Sequence, residues 1–363
     1  MYRPHISLLL ALFFTVIIFA QDSGLELIHA DKQTGKKIDG EKVSEFTGNV
    51  HFRQDTVDMY CSRAVFYEKQ DRIDFIGNVS ISDGHRNVKA KKIEYYPETK
   101  IAVCLGDVRL KSPDALLNSD YFSYNFNLKT AEAEGSIYIY DLQNDVKIWG
   151  RKGLHDGLNK YSFIESEAKL MKIDTSAADT LIITSDSLQY FGKDTSKAVA
   201  IDSVVLTKGA LKAVCDTMVY MPDMETAWLH YKPQAWFENN ELSGDDMQVL
   251  FDSLKVKEIY ISGNAVAVNK ADSLKKQINE LKGKKIRFEI ENKKPEKIIS
   301  MENASSVYYL NKDGEDQGHN VSTADTIFIF FKEGEVDSIR IKGGADGTFY
   351  PENYKGEADL GRQ

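Results

Sequence analysis

A short motif with the composition of a turn recurs along this chain at a constant interval. The motif is a glycine, then Asn, Asp or Ser, then Val or Ile, and successive copies begin 29 residues apart at Gly48, Gly77, Gly106 and Gly135. A fixed period of this length indicates stacked supersecondary units that bury a continuous core against one another. The same context returns in weaker form, extending the array to about nine units, at Asp202, Pro233, Gly263, Glu302 and Gly343.

Each unit also contains segments in which apolar and polar residues alternate, such as Asp120–Tyr124 and Asp216–Tyr220. This period of two is typical of a strand with one buried face. Short polar tips such as Glu68–Asp71 separate the segments, as hairpin turns do. A unit of 29 residues holds two or three such strands and leaves no room for a helix of ordinary length. The sequence therefore predicts an all-β fold.

One segment departs from this pattern. Ala271–Lys285 places Leu274, Ile278 and Leu281 on one face at helical spacing. This spacing predicts one short inserted helix within an otherwise all-β chain.

The first twenty residues have the composition of a secretory signal peptide. Arg3 is their only formally charged side chain, an apolar run extends from Leu8 to Phe19, and the small residue Ala20 precedes Gln21. The run is shorter than the about 20 apolar residues that a membrane-spanning helix needs. We therefore expect residues 1–20 to be cleaved and the rest of the chain to be exported.

The remaining chain divides at a glycine-rich stretch. Gly150–Gly157 interrupts the repeats and predicts a boundary between two blocks. The first block of repeats is expected at 21–150, and the second at 151–363 with the inserted helix.

Charge and cysteine usage narrow the function classes. The formal net charge is −9, and nucleic acid is an unsuitable partner because its phosphates reward clustered Lys and Arg. Cys61, Cys104 and Cys215 are too few, and odd in number, for a disulfide scaffold. We expect them to be buried as small apolar side chains, with a Cys61–Cys104 bridge as an open alternative.

The sequence contains no motif that indicates catalysis. Its seven histidines lack metal-ligand spacing. Neither a Gly-x-Ser-x-Gly elbow nor a phosphate-binding glycine loop occurs. We therefore predict no enzymatic activity, no metal and no cofactor.

The repeats beginning Phe46-Thr-Gly-Asn-Val-His-Phe52 and Phe75-Ile-Gly-Asn-Val-Ser-Ile81 resemble those of the OstA-like family, which serves lipopolysaccharide transport in the periplasm. The family includes a soluble bridge protein and the periplasmic domain of the outer-membrane translocon. The resemblance is strongest from Leu25 to Tyr140 and diffuse beyond. Its long serial array looks like the OstA-like proteins of Bacteroidetes-type bacteria.

The resemblance implies an elongated antiparallel β jelly-roll, a V of two stacked sheets whose interior holds acyl chains. It implies a periplasmic protein, associated with the outer membrane in some settings, that carries lipopolysaccharide or a related glycolipid through an apolar groove. The candidate groove residues are Val50, Phe52, Ala64, Phe66, Val79, Ile81, Ile93, Tyr95, Phe122 and Tyr124. Other export proteins, or further copies of the chain, are expected to join by edge-strand addition near Leu25 and Phe349.

Two alternatives remain open from the sequence. The first is a structural or adhesive β-solenoid without lipid, because stacked repeats bury a continuous core whatever they bind. The second is a polysaccharide enzyme, which requires in-phase acid pairs that the repeats lack. Asp202, Pro233 and Glu302 replace the motif glycine in the second half, so those units are expected to be distorted or specialised.

Overall fold

The computed structural model describes residues 25–38, 40–174, 179–192, 196–253, 255–272, 277–312, 315–352 and 354. Residues 1–20, the predicted signal peptide, lie outside this range. The described chain forms two compact units. The first ends at Ile173 and also contains Thr184–Ala198, and the second contains Asp174–Ile183 and the residues from Val199 onward.

The first unit is a meander of antiparallel strands in which each strand pairs with the next along the chain. Only the first two strands differ, because both pair with β3. The strands are β1 Glu26–His29, β2 Lys32–Ile38, β3 Glu41–Gln54, β4 Val57–Tyr67, β5 Arg72–Ser82, β6 Asn87–Tyr96, β7 Ile101–Lys111, β8 Ala115–Asn125, β9 Thr130–Asp141, β10 Val146–Asp156 and β11 Tyr161–Asp174. Next along the chain come β12 Asp179–Phe191 and β13 Lys197–Lys208.

The second unit is also built of antiparallel strands, which are longer towards its end. Its strands are β14 Leu211–Met221, β15 Thr226–His230, β16 Gln234–Phe237, β17 Asn240–Ser243, β18 Asp246–Asp252, β19 Lys255–Asp272, β20 Gln277–Glu291, β21 Lys294–Lys312, β22 Glu315–Lys332, β23 Glu335–Lys342 and β24 Asp346–Tyr350. Short strands share a partner here: β14 pairs with both β15 and β16, β19 with both β17 and β18, and β22 with both β23 and β24. A 3-10 turn at Pro222–Met224 precedes β15. The predicted all-β class is confirmed.

The recurring glycine motif is a β-bulge inside a strand, where the sequence predicted a turn between strands. Gly48 and Asn49 lie in the middle of β3 with φ of +78° and +46°, and the pairing of β3 with β4 slips between Thr47 and Val50. A bulge and a tight turn both need residues that tolerate positive φ, so their local sequences look alike. Only the pairing of the flanking residues distinguishes the two.

The bulge folds each strand back, so that its two halves face each other. The rings of Phe46 and Phe52 lie on opposite sides of the bulge in β3, with centroids 5.4 Å apart. In a flat strand six residues would separate them by about 20 Å. Repeated in register, the fold gives each unit two walls. In the odd-numbered strands that carry the bulge, the first wall is the half before it and the second wall is the half after it.

The non-glycine motif sites keep the bend in two cases and break the strand in the third. Asp202 and Ser203 in β13, and Glu302 and Asn303 in β21, all have positive φ. At Pro233 the chain is split into β15 and β16, because proline has no N–H for the ladder.

The predicted helix at 271–285 is wrong where the structure describes it. Residues 271–272 end β19, and β20 begins at Gln277. Leu281 is buried and Ile278 is 45 % exposed, so the two predicted neighbours on a helix face are separated. Pairing with β19 and β21 supplies the backbone hydrogen bonds, and this tertiary context overrides the helix propensity of the segment. Leu274 lies outside the described residues.

The glycine-rich stretch predicted as a block boundary lies in β10 and the turn that follows it. Gly150 and Gly153 belong to β10, which pairs with both β9 and β11. The domain limits at 150 and 151 stay a prediction.

Candidate functional site

The space between the two walls of the first unit is lined by residues that align across consecutive strands. One row on the first wall consists of Phe46, Ala64, Phe75, Ile93, Cys104, Phe122, Ala133, Gly153 and Ile164. The facing row on the second wall consists of Phe52, Met59, Ile81, Val88, Leu110, Leu117, Ile139, Ile148 and Leu170. The period-two alternation thus produces continuous apolar tracks that cross the strands.

All ten predicted groove residues point towards this interior or border it. Eight of them are buried, and Phe66 and Tyr95 are half-buried. Phe66 packs its ring against Phe46 and Phe52 at 5.5 and 5.4 Å. Their role as lipid contacts stays a prediction, because core packing alone also buries such side chains.

A second row on the first wall mixes large and small side chains. It consists of Ser44, Phe66, Ile73, Tyr95, Ala102, Tyr124, Ala131, His155 and Ser162. Between the last strands of the unit lies a cavity of ≈ 30 Å³, lined among others by Ala131, Ala133 and Gly153. A cavity of this size holds only one or two water molecules. Most of the facing side chains of both walls are buried along the unit, and Met59, Ala64 and Phe75 are fully shielded from solvent. The walls are therefore packed against each other, and a long chain can enter only if they separate.

A polar pair lines this cavity. His155 and Ser162 are buried on adjacent strands, and His155 Nδ1 lies 2.8 Å from Ser162 Oγ. Burial lowers the pKa of His155, although the nearby Asp156 acts in the opposite direction. The imidazole is therefore neutral at pH 7. The sequence alone does not indicate this pair, because its alignment depends on the pairing of β10 with β11.

The hairpin tips along the edge of the first wall, which we call the first lip, are hydrogen-bonded to one another. Phe126 N donates to Lys100 O at 3.0 Å, Gly157 N to Lys129 O at 2.9 Å, and Gly192 N to Lys160 O at 2.8 Å. The same backbone hydrogen bond thus recurs from one tip to the next along the first lip. Leu128 and Leu158 stand on these tips and are each 57 % exposed.

The outer face of the first wall carries a charged cluster. Asp74 is buried and lies 3.0 Å from Arg72 Nε and 2.9 Å from Lys92 Nζ. Burial works to raise the pKa of nearby Glu94, but hydrogen bonds from Lys92 and Tyr96 lower it overall. The cluster is on the face opposite the interior and belongs to the outer surface of the wall.

The second unit has a polar row on its inner face that was not predicted from the sequence. Asn240 aligns with Asn269, and Asn269 with Asn279. On the next strand Tyr308 follows in the same row, because Glu280 pairs with Val307. The 29-residue spacing of Asn240 and Asn269 was visible, but the alignment with Asn279 and Tyr308 depends on the pairing of the strands.

The cysteines are structural. Cys61, Cys104 and Cys215 are buried and free, so the alternative of a Cys61–Cys104 bridge is wrong. Burial raises the pKa of their thiols to about 11, 12 and 12, which leaves them protonated and unreactive at pH 7. In the described part of the chain no cluster of three or more His, Cys, Asp or Glu could hold a metal ion. None of the described segments forms a helix with the length and hydropathy of a membrane span.

Comparison with known proteins gives one family and one similar structure. Residues 22–138 match the family model described as OstA-like protein. No curated protein matches the chain. The solved structures similar to it include the crystal structure of LptH, the LptA homologous periplasmic component of the conserved lipopolysaccharide transport device from Pseudomonas aeruginosa. That likeness has a TM-score of 0.30 and 13 % identity and covers 39 % of this chain and 95 % of LptH.

Proposed function

We propose, from the match of residues 22–138 to the OstA-like family model, that this chain binds lipopolysaccharide or a related glycolipid between its walls and passes it towards the outer membrane. In this proposal the protein acts in the periplasm and without catalysis. The observation that carries the proposal is the pair of apolar rows facing each other across the interior of the first unit.

The rows suit a ligand with several acyl chains. Each buried methylene contributes about 0.8 kcal/mol, so a long track binds lipid through many weak contacts without one strong site. The same lack of fixed anchors lets a chain slide from one repeat to the next. The side chains that meet an entering chain first are Phe66 and Tyr95, because they are only half-buried.

Loading requires the walls to separate, because the side chains between them are buried against one another. The bulges are the natural hinge, since each wall is held by its own strand pairing and hairpin tips. Acyl chains then replace the wall-to-wall contacts with equivalent apolar contacts, which limits the free-energy cost of opening.

Photo-crosslinking at adjacent positions of β4 tests the proposal. Phe66 faces the interior, whereas the ring of Tyr67 lies under Arg72 at 4.3 Å on the outer face. A photoreactive phenylalanine analogue at position 66 should give a lipopolysaccharide adduct in living cells, and the same residue at position 67 should give none. Equal adducts at the two positions, or none at position 66 in a folded, exported protein, would count against the groove.

The packed interior favours a second candidate, a structural β-solenoid without lipid. Its walls would stay closed, since stacked repeats then bury a permanent core. The two functions predict different results in a hydrogen-exchange experiment. In a lipid carrier, backbone amides along the first lip should lose protection when lipopolysaccharide is added, whereas in a closed solenoid their protection should not change.

We further propose that partner proteins of the export machinery, or second copies of the chain, dock by strand addition at the two end strands. β1 pairs with β3 and β24 with β22, and exposed apolar side chains occur on both, including Ile28 and Phe349. Neighbouring β2 is rich in lysine, which discourages strand pairing. Ile28→Lys should therefore abolish association seen by sedimentation velocity, whereas Lys36→Gln should leave it intact or increase it.

A further inference from the structure

The second unit presents uncharged polar side chains in a row where its cleft opens. Asn240, Asn269, Asn279 and Tyr308 stand on four neighbouring strands in register. We call this set the asparagine row. Asn240 is buried, and the other three are half-buried.

Hydrogen bonds to the protein hold the row in place and use only part of its capacity. Asn269 Nδ2 donates to Asn240 Oδ1 at 3.1 Å, and Asn240 Nδ2 donates to Phe237 O at 3.3 Å. Asn279 Oδ1 accepts from Tyr309 N at 2.8 Å. Among the described residues, Asn269 Oδ1 and Asn279 Nδ2 make no hydrogen bond. An acceptor and a donor therefore remain available side by side.

The Tyr308 hydroxyl adds a second donor. Burial, helped by the charge of Glu335, raises the pKa of Tyr308, so its hydroxyl stays protonated at neutral pH. A protonated phenol both donates and accepts hydrogen bonds.

The wall opposite the asparagine row is apolar. Ile298, Ile329 and Ile339 align across three strands there, and Phe331 and Val336 continue the surface. Together the two walls line a partly open cavity of ≈ 30 Å³. A ligand at this point meets hydrocarbon on one side and amides on the other.

The charge of the lining excludes a phosphate head group as the preferred occupant. No Lys or Arg is among the described residues that line the cavity. Its one charged lining residue is Glu280, which pairs with Lys282 at 2.6 Å. Anion recognition normally uses Arg, Lys or backbone N–H groups, whereas amides and phenols suit hydroxyl and amide groups.

The geometry points to the asparagine row as a seat for the uncharged, hydroxyl- or amide-bearing junction between the sugar and the acyl chains of a glycolipid. This inference rests on the proposed function, because it assumes that lipid reaches the cleft. It adds that the second unit binds the polar part of the ligand by hydrogen bonds, while the first unit offers mainly apolar surface.

Methyl NMR on the full chain, with isoleucine methyl groups labelled, tests the seat. Ile298, Ile329 and Ile339 report on the second unit, and Ile93 and Ile164 on the first. The probes are n-decyl-β-D-glucoside and 1-decanol, which share a ten-carbon tail and differ in the sugar. The second-unit signals should show about tenfold tighter binding of the glucoside, as expected from one or two extra hydrogen bonds.

Replacing the amides should abolish this preference without removing the apolar wall. Asn269→Leu combined with Asn279→Leu should bring the affinity ratio to about one, with decanol bound as well as before or better. Gln234→Leu is the matched control, because it makes the same change at an exposed strand position. If the double variant fails to fold, Tyr308→Phe keeps the ring and should lower the ratio about threefold, the effect of one hydrogen bond.

The outcomes separate this inference from the proposed function. If neither probe shifts any isoleucine in either unit, both ideas fall. If the first-unit signals respond but the second-unit signals do not, only the seat is overturned. Equal affinity for the two probes in the wild type, or a preference that survives in the double variant, also overturns the seat.

Discussion

The same position of the repeat has different roles in the two units. Five residues after the second residue of the motif stand, for example, Asp83 and Asp141 in the first unit, and Asn269 and Tyr308 in the second. In the first unit these side chains close hairpin turns. Asp141 Oδ1, for example, accepts hydrogen bonds from Gln143 N at 2.8 Å and Asn144 N at 3.1 Å.

In the second unit the strands are longer, so this position no longer lies at a turn. β9 ends at Asp141 itself, whereas β19 continues three residues past Asn269 and β21 four past Tyr308. The polar side chain then remains on the inner wall. When the strand continues beyond this position, the residue there lines the cleft and does not cap a turn, although its place in the repeat is the same.

The largest effects should come from the aromatic cores of the two units. Phe75 in the first unit and Phe288 in the second are both fully buried. Because a large cavity would remain, Phe75→Ala and Phe288→Ala should each lower the free energy of unfolding by about 3–5 kcal/mol. Urea denaturation measures both. A cost under about 1 kcal/mol for Phe75→Ala alone would show that the first unit is already loosely packed.

The bulges should be the next most sensitive sites. A Cβ at Gly135 would lie 2.1 Å from Asp120 Oδ2, and φ there is +95°. Gly263 in the second unit has φ of +72° and a Cβ position 2.3 Å from Asp245 Oδ2. Substitution of either glycine by valine should cost about 2–4 kcal/mol.

Hydrogen exchange should show lost protection in β9 for Gly135→Val and in β19 for Gly263→Val. Gly35→Ala is the control, because Gly35 has open space and an ordinary φ. Wild-type protection in either valine variant would contradict the view that the bulges hold the folded strands.

A direct comparison of the repeat position uses one variant in each unit. Asp141 is buried and accepts several hydrogen bonds, so Asp141→Ala should cost about 1–3 kcal/mol. Among the described residues the Asn269 side chain makes one hydrogen bond, to Asn240, and Asn269→Ala should cost about 1 kcal/mol or less. Thermal unfolding monitored by circular dichroism ranks the two. If Asn269→Ala lowered the stability more than Asp141→Ala, the asparagine row would contribute more to the stability of the fold than the turn cap at Asp141.

The smallest effect should be a pH dependence that belongs to the first unit. Burial lowers the pKa of His155 in the folded chain, so the unfolded chain binds the proton more readily. The stability from neutral His155 is therefore present above the ordinary pKa of 6.5 and is lost as the pH falls below it. The slope is at most about 1.4 kcal/mol per pH unit.

Denaturation at pH 7.5 and 5.5 measures this loss. His155→Gln should reduce the difference between the two pH values, whereas the exposed His85→Gln should leave it unchanged. An unchanged difference in His155→Gln would assign the pH dependence to other groups.

Much of the fold and part of the site could be predicted because they depend on local pattern. The 29-residue period and the alternation of apolar residues indicated β repeats and placed Phe52, Ile93 and Phe122 on the inner face. These signals depend only on the geometry of a strand, in which successive side chains point to opposite faces.

Other features could not be predicted from the sequence because they depend on which strands pair. The same Gly-Asn pair suits a turn or a bulge, and only the continuing ladder on both sides of Gly48 makes it a bulge. The segment before Lys285 has good helix propensity, yet its place between β19 and β21 makes it a strand.

By itself, therefore, the sequence determined the β class, the length of the repeat and the side chains that alternate inward, since each of these follows from spacing along one strand. Tertiary structure alone decided that the strands fold back at Gly48 and its equivalents, that the walls pack closely, and that Asn269 meets Asn240 and Asn279. The physical reason is that cross-strand register and wall separation are set by hydrogen bonds and packing between residues far apart in the chain.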